Sequence, residues 1–241
     1  DTLSLHDALP IYSGIYCRTL ISVMLREVIL SSAFFMTTTE KPAFRSAIEA
    51  YISQHALPVD KYSHQPRLYA LTLNLAQAAQ LSFDDDILHA AVWLHDLGVF
   101  EGHRPVNPAL LANWDNVAYA CRVIPELLQQ WNFPAEKIPA VINAIEQHAA
   151  HCQPATPEAI LLHDADLLEQ LGAVGIMRTL CKIGRDTRYA THGSAVNVLE
   201  KALDLPTSLL LPAAQLLAEQ RINLLHNFLS SLADETFNVD F

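Results

Sequence analysis

Apolar side chains recur at helical spacing along nearly all of the chain beyond residue 36. Phe44, Ile48 and Ile52 share one face of a helix, and a second inward stripe lies between Leu68 and Ala79. Alternating apolar and polar runs, which are typical of strands, are essentially absent. The chain has 241 residues, 51% of them hydrophobic, and is long enough to bury a substantial core. The sequence therefore predicts an all-α fold.

Capping residues predict where several later helices begin. Asp84–Asp86 supply negative charge at the start of a helix that ends at Gly98. Pro134 starts a helix that continues to about His148, and Thr156-Pro157 starts the next. Further helices are predicted over residues 117–131, 194–203 and 212–232.

Residues 1–35 show no consistent hydrophobic periodicity, and the chain begins with Asp1. We expect this segment to be a non-native or disordered extension, and we expect the helical domain to span residues 36–241. Its most apolar stretch, Leu20–Phe35, contains Arg26 and Glu27 and is too short and too charged to span a bilayer. It also lacks the pattern of a signal peptide. We therefore expect no membrane association and a cytoplasmic location.

The net charge of −11 disfavours a protein that binds nucleic acid polymers, because no basic excess exists to neutralise a phosphate backbone. The four cysteines lie far apart, with no Cys-x-x-Cys pair, which fits a reducing cytosol and disfavours a cysteine-based zinc site. A local basic cluster is nevertheless able to receive one small anionic ligand. It consists of Arg178, Lys182, Arg185 and Arg188.

His95 and Asp96 stand together near the end of the helix that begins at Asp84. The unsatisfied carbonyls and the negative end of the helix dipole favour a cation there. Adjacent helical residues point roughly 100° apart, so both can bind one ion only in a crevice between helices. His64 and the Asp164-Ala165-Asp166 triplet are able to supply the other walls of such a crevice. Imidazole and carboxylate together suit a divalent cation.

The order of these residues resembles the HD-domain superfamily of metal-dependent phosphohydrolases, whose signature is a His, a later His-Asp pair and a final Asp. The resemblance implies a single-domain, all-α helical bundle. It also implies a bound divalent metal ion. The expected ion is Mn²⁺ or Mg²⁺, and Fe, Co, Ni and Zn are alternatives. The implied metal ligands are His64, His95, Asp96 and Asp166.

A longer segment, from Asp164 to Arg178, resembles a motif of small bacterial HD hydrolases of the nucleotide pyrophosphohydrolase-like type. These proteins also share a segment in which an Asn is followed by Glu-Lys, here Asn197 to Lys201. The similarity extends roughly from residue 43 to residue 235. Glu169 departs from the motif because it replaces an Asp.

Asp164 and Asp166 compete for the fourth ligand position. Helical periodicity places Asp164 on an inward stripe with Ile160 and Leu171. Alignment on the Ala-Asp-x-Leu core of the resembled family favours Asp166, and we take Asp166 as the ligand. For Asp164 we predict a catalytic role. The alternative is an inward carboxylate that accepts hydrogen bonds from a helix terminus or orients a ligand histidine.

His148 continues the apolar face of Val141 and Ile145, so we expect it to point inward. We assign it a catalytic role together with Asp96 and Asp164, either as a contact to substrate phosphate or as a ligand of a second metal. The predicted substrate-binding residues are Arg67, His148, Arg178, Lys182, Arg185 and Arg188.

The resemblance implies a metal-dependent phosphohydrolase that cleaves a nucleotide or another small phosphorylated metabolite by attack of a metal-activated water on phosphorus. Two alternatives stay open. One is a di-iron HD-type oxygenase, for which His103, His148 and His151 are available as extra ligands. The other is a non-catalytic, metal-containing module that binds a nucleotide. Both a monomer and a homodimer are compatible with the sequence.

Overall fold

The computed structural model describes residues 41–58, 61–185, 189–237 and 239. The prediction that residues 1–35 form a non-native or disordered extension, and the substrate-binding role of Arg188, therefore lie outside the described residues. Within them, the secondary structure is helical and contains no strand, which confirms the all-α prediction. The described residues from Pro42 onward belong to one compact unit.

The described residues form ten α-helices and three short 3-10 helices. The α-helices are α1 Ala43–His55, α2 His64–Ala79, α3 Asp85–Leu94, α4 Pro108–Leu111, α5 Asn116–Gln130, α6 Ile138–Glu146, α7 Pro157–Leu168, α8 Gly172–Leu180, α9 His192–Ala202 and α10 Pro212–Glu235. The 3-10 helices are Leu97–Val99, Ala135–Lys137 and Leu205–Ser208. Among the described residues, no helix combines the length and the apolar character needed to cross a membrane.

Side-chain caps are found at three helix starts, of which those at Asp84 and Thr156 were predicted. The carboxylate of Asp84 accepts hydrogen bonds from two backbone N–H groups in the first turn of α3. Thr156 accepts one from Ala159 at the start of α7. Thr191 and Ser194 form a reciprocal capping box at the start of α9. These local signals explain why the helix starts were readable from the sequence.

The end of α3 differs from the prediction. The helix ends at Leu94 rather than at Gly98, so His95 and Asp96 lie just beyond it and not in its last turn. The backbone then forms a 3-10 turn, in which the N–H of Val99 donates to the carbonyl of Asp96 three residues back. Helices α4 and α8 were not predicted.

Helix α3 lies at the centre of the bundle. Every residue from Leu88 to Leu94 is buried, and the helix packs against α1, α2, α6 and α7. Helix α2 also packs against α7. The carboxyl end of α3 therefore lies where α2 and α7 meet, and residues 95 and 96 are placed between these two helices.

Helices α8, α9 and α10 form the carboxyl-terminal part of the described fold. Helix α10 packs against α7, α8 and α2, and α8 also contacts α9. The guanidinium of Arg221 on α10 donates to the carbonyl of Leu168 at 2.5 Å and so holds α10 to the end of α7. The backbone turns after Leu168 and enters α8 at Gly172, whose φ of 65° favours glycine.

Gly98→Ala is expected to destabilise the protein by about 2–3 kcal/mol, because a close backbone contact leaves no room for a methyl group. A Cβ atom at Gly98 would lie 2.2 Å from the backbone oxygen of Asn116. The Gly98 carbonyl also accepts a hydrogen bond from the indole of Trp114 at 2.8 Å, which resists a shift of the turn. Urea denaturation of the wild type and of the variant measures the difference. Equal stabilities would contradict this packing.

Candidate metal centre

Side chains from three separate parts of the fold converge beyond the carboxyl end of α3. Nε2 of His64, at the start of α2, lies 3.3 Å from Oδ1 of Asp166 on α7 and 3.9 Å from Oδ2 of Asp96. Nε2 of His95 lies 3.7 Å from Oδ1 of Asp96 and 4.0 Å from Oδ1 of Asp166. The structure therefore brings together all four residues that the sequence analysis named as metal ligands.

His95 presents one ring nitrogen to this cluster. Its Nδ1 lies 2.8 Å from the carbonyl oxygen of Val92, an acceptor that fixes the proton on Nδ1. Nε2 therefore carries the lone pair, and it is buried without a hydrogen-bond partner among the described residues. Burial lowers the pKa of His95 to about 4, so the imidazole is neutral near pH 7.

His64 is arranged in the same way. Its Nδ1 lies 3.4 Å from Oε2 of Glu169, and its buried Nε2 faces the cluster. The approach of Nε2 to Asp166 does not have the geometry of a hydrogen bond within the described structure. Burial opposes the charged imidazolium, but the Asp166 and Glu169 carboxylates outweigh burial and raise the pKa of His64.

The two carboxyl groups of the cluster are ionised. Burial alone would raise the pKa of Asp96, but the neighbouring rings of His95 and His64 lower it to about 2. For Asp166, burial is likewise outweighed by His64 and His95, and its pKa lies well below the ordinary range. Two negative charges and two imidazoles therefore face one another at a half-buried position.

This donor set fits a divalent cation. Ligand atoms of His64, His95 and Asp96 all lie within 4.8 Å of one another, and Asp166 adds a fourth approach. The two orphaned Nε2 atoms indicate that the cluster lacks a partner that accepts imidazole lone pairs, because buried polar groups are normally paired. A cation bound by two imidazoles and two carboxylates is such a partner.

Asp164 lies outside this cluster and is fully buried. Its carboxylate accepts hydrogen bonds from the backbone N–H groups of Leu210 and Leu211, the residues just before α10. It also pairs with the ring of His163 at 2.8 Å. This placement does not support the catalytic role predicted for Asp164. It matches the alternative that the side chain binds a helix terminus.

His148 lies beside the cluster. Its ring centroid is 5.2 Å from that of His95 in an edge-to-face arrangement, and the side chain is buried. Its Nδ1 bonds the carbonyl of Ile145, which orients the ring. The other histidines considered for a second metal lie elsewhere, because His103 bonds Tyr119 and His151 is exposed.

A cavity of about 330 Å³ opens directly onto the cluster. Asp96 and Asp166 form part of its wall, and several cationic side chains form another part. The cationic residues that line it are Lys61, Arg178, Lys182 and Lys201. The lining also includes Glu169 and the apolar residues Val99, Val198, Ala202 and Leu205. The cavity therefore combines a cation-binding wall with a surface that attracts anions.

The predicted substrate-binding residues divide into two groups. Arg178 and Lys182 line the cavity, and the ammonium of Lys182 lies over the ring of Tyr189. Arg67 instead pairs with Glu169 at 2.7 Å. Arg185 is exposed, its guanidinium donates to the carbonyl of Cys181, and it does not line the cavity in the described part of the chain. These placements do not support substrate contacts by Arg67 and Arg185.

Sequence reasoning missed three residues of this site. Lys61 precedes the ligand His64 by three residues, but no motif marked it. Lys201 is the last residue of the Asn197 to Lys201 segment noted above, which lies on α9, so its signal was present but was not used. Glu169 stood out only as a departure from the resembled motif, and its contact with His64 appears only in the folded structure.

Comparison with solved structures places this architecture among known folds. YpgQ from Bacillus subtilis, in a complex with ADP, matches with a TM-score of 0.59 and 21% identity over 79% of this chain and 97% of that one. A protein from Lactobacillus plantarum matches with a TM-score of 0.62 and 23% identity over 83% and 99%. An HD-superfamily hydrolase from Bacillus thuringiensis matches with a TM-score of 0.57 and 20% identity over 81% and 96%. The chain has the fold of these proteins, one of which is an HD-superfamily hydrolase.

No protein-family model matches the sequence, and no curated protein matches it. The assignment of the fold therefore rests on the structural matches, and the description of the donor set rests on the side chains described above.

Proposed function

We propose that this protein is a metal-dependent phosphohydrolase that acts on a nucleotide or another small phosphorylated metabolite. The observation that carries the proposal is the convergence of His64, His95, Asp96 and Asp166 at a cavity whose lining includes both carboxylates of this cluster and several cationic side chains. The HD-domain hydrolase fold supports the same reaction class.

The cationic residues of the cavity have a defined task in this proposal. Arg178 and Lys182 bind phosphate oxygens and hold the phosphorus near Asp96 and Asp166. Their positive charge also stabilises the negative charge that develops during phosphoryl transfer. The proposed cation, Mn²⁺ or Mg²⁺, would polarise the phosphoryl oxygen and lower the pKa of a bound water. His148, beside His95, is proposed to contact the substrate phosphate.

Two features favour a nucleotide over a smaller phosphate ester. The cavity volume of about 330 Å³ falls within the range of ordinary ligand pockets, and the apolar side chains in its lining offer a surface for a base or a sugar. YpgQ, which shares this fold, was solved with ADP. We therefore propose that nucleoside diphosphates or triphosphates are substrates.

A substrate screen tests the proposal. The wild-type protein is incubated with nucleoside mono-, di- and triphosphates and with simple sugar phosphates, each with Mn²⁺, Mg²⁺, Co²⁺ or Ni²⁺. The expected result is metal-dependent release of phosphate or pyrophosphate from nucleotides, abolished by a chelator. Tight nucleotide binding without any product under all four ions would contradict hydrolysis and favour the non-catalytic module. Two bound irons per chain would instead favour the oxygenase alternative.

Arg178→Gln is expected to raise KM for the best substrate of that screen by roughly tenfold or more, because a charge-assisted contact to phosphate is lost from the cavity. Arg185→Gln is the matched control. Arg185 follows α8 by one turn, is exposed, donates to the carbonyl of Cys181 and is not among the residues that line the cavity. Steady-state kinetics of both variants measures the difference. Equal effects of the two substitutions would contradict the assignment of Arg178.

A further inference from the structure

Glu169 is a buried carboxylate with an unusual number of charged neighbours. It follows the last residue of α7 and is 3% exposed. Nη2 of Arg67 donates to Oε2 at 2.7 Å, and Nε of Arg67 approaches both carboxylate oxygens. The Arg67 guanidinium therefore holds the Glu169 carboxylate in a defined orientation.

The same carboxylate contacts the metal centre and the cavity wall. Its Oε2 lies 3.4 Å from Nδ1 of His64 and 3.5 Å from Nη1 of Arg178. Nη1 of Arg178 also approaches the backbone carbonyl of Glu169 at 3.4 Å. One side chain therefore joins a proposed metal ligand to an arginine that lines the cavity.

The contact with His64 has a chemical consequence. An acceptor beside Nδ1 keeps the proton on that nitrogen and leaves the lone pair on Nε2, which is the atom that faces Asp96 and Asp166. A charged acceptor also makes the imidazole a stronger donor of electron density to a cation. For His95, the carbonyl of Val92 fixes the tautomer but carries no charge. His64 is therefore the ligand whose donor strength depends on a carboxylate.

We propose that Glu169 is a positioning residue that fixes the tautomer and orientation of His64 and thereby sets the affinity of the centre for its cation. Arg67 and Arg178 hold the carboxylate in place from the other side. The inference rests on the proposed function, because it assigns a role to Glu169 only if His64 binds a metal.

Calorimetric titration of the metal-free protein with Mn²⁺ tests this role without measuring activity. Glu169→Gln keeps the shape of the side chain and removes its charge, and we expect it to weaken Mn²⁺ binding by about 10–100-fold. Glu169→Asp restores the charge on a shorter side chain and is expected to recover part of that loss. An E169Q affinity within twofold of the wild type would overturn the inference.

Glu49→Gln is the matched control. Glu49 also pairs with a buried imidazole, at 2.9 Å from Nε2 of His89, but this pair belongs to neither the metal cluster nor the cavity lining. We expect E49Q to leave the Mn²⁺ affinity within twofold of the wild type. If E49Q weakens Mn²⁺ binding as much as E169Q, the effect is general destabilisation and the inference is wrong.

A second measurement keeps the inference testable if E169Q does not fold. In the wild-type protein loaded with diamagnetic Zn²⁺, ¹⁵N NMR of the histidine side chains is expected to show His64 protonated on Nδ1 and bound through Nε2. Protonation on Nε2 would overturn the inference and leave the proposed function intact. A wild-type protein that binds neither Mn²⁺ nor Zn²⁺ would contradict the proposed function and, with it, this role of Glu169.

Discussion

Asp96→Ala is expected to abolish tight binding of the divalent cation and to lower turnover by roughly 10³-fold or more. Asp96 approaches both His64 and His95, at 3.9 and 3.7 Å, and it also lines the cavity. Its loss removes a charged ligand and the wall on which the reacting phosphate is proposed to lie. Metal content by elemental analysis and turnover with the best nucleotide measure the two effects.

Glu136→Ala provides the control for Asp96→Ala. Glu136 is an exposed carboxylate in a 3-10 turn away from the cavity lining, so metal content and turnover are expected to match the wild type. Full metal-dependent turnover in Asp96→Ala would contradict the proposed centre. Loss of turnover with retained metal would restrict Asp96 to a role in the reaction itself.

Asp164→Ala is expected to lower the free energy of unfolding by about 3 kcal/mol or more. The substitution leaves the backbone N–H groups of Leu210 and Leu211 and the ring of His163 without their buried acceptor. Because these residues hold the start of α10, the loss extends beyond α7. Urea denaturation measures the change. We expect Mn²⁺ affinity of the folded variant to stay within threefold of the wild type.

Asp166→Ala is the variant to compare with Asp164→Ala, because the two carboxylates are two residues apart on the same helix. It is expected to weaken Mn²⁺ binding at least about 100-fold with a smaller loss of stability. The reversed pattern, in which Asp164→Ala loses the metal and Asp166→Ala loses the fold, would show that the ligand and the structural carboxylate have been exchanged.

Much of the fold was readable from local sequence signals. Helical periodicity predicted α1 and α2, and the capping residues Asp84, Thr156 and Pro212 marked helix starts close to those observed. The end of α3 was not readable. It depends on a 3-10 turn after Asp96 and on the close approach of Gly98 to Asn116, which is a tertiary contact.

The site likewise contains residues that could be predicted from the sequence and residues whose placement could not. The order of the histidines and aspartates was enough to name His64, His95, Asp96 and Asp166 from a resemblance. Periodicity alone could not separate Asp164 from Asp166, because both are largely shielded and only the partners differ. Arg67 and Arg185 were grouped with the phosphate-binding residues on charge alone. Where each guanidinium lies is decided by Glu169 and by the carbonyl of Cys181.

Crystallography of the protein soaked with Mn²⁺, with anomalous scattering recorded at the manganese edge, tests the central claim most directly. The account predicts one strong anomalous peak within coordination distance of Nε2 of His64, Nε2 of His95 and the carboxylates of Asp96 and Asp166. A peak bound by other residues, or none at this position at saturating Mn²⁺, would contradict it.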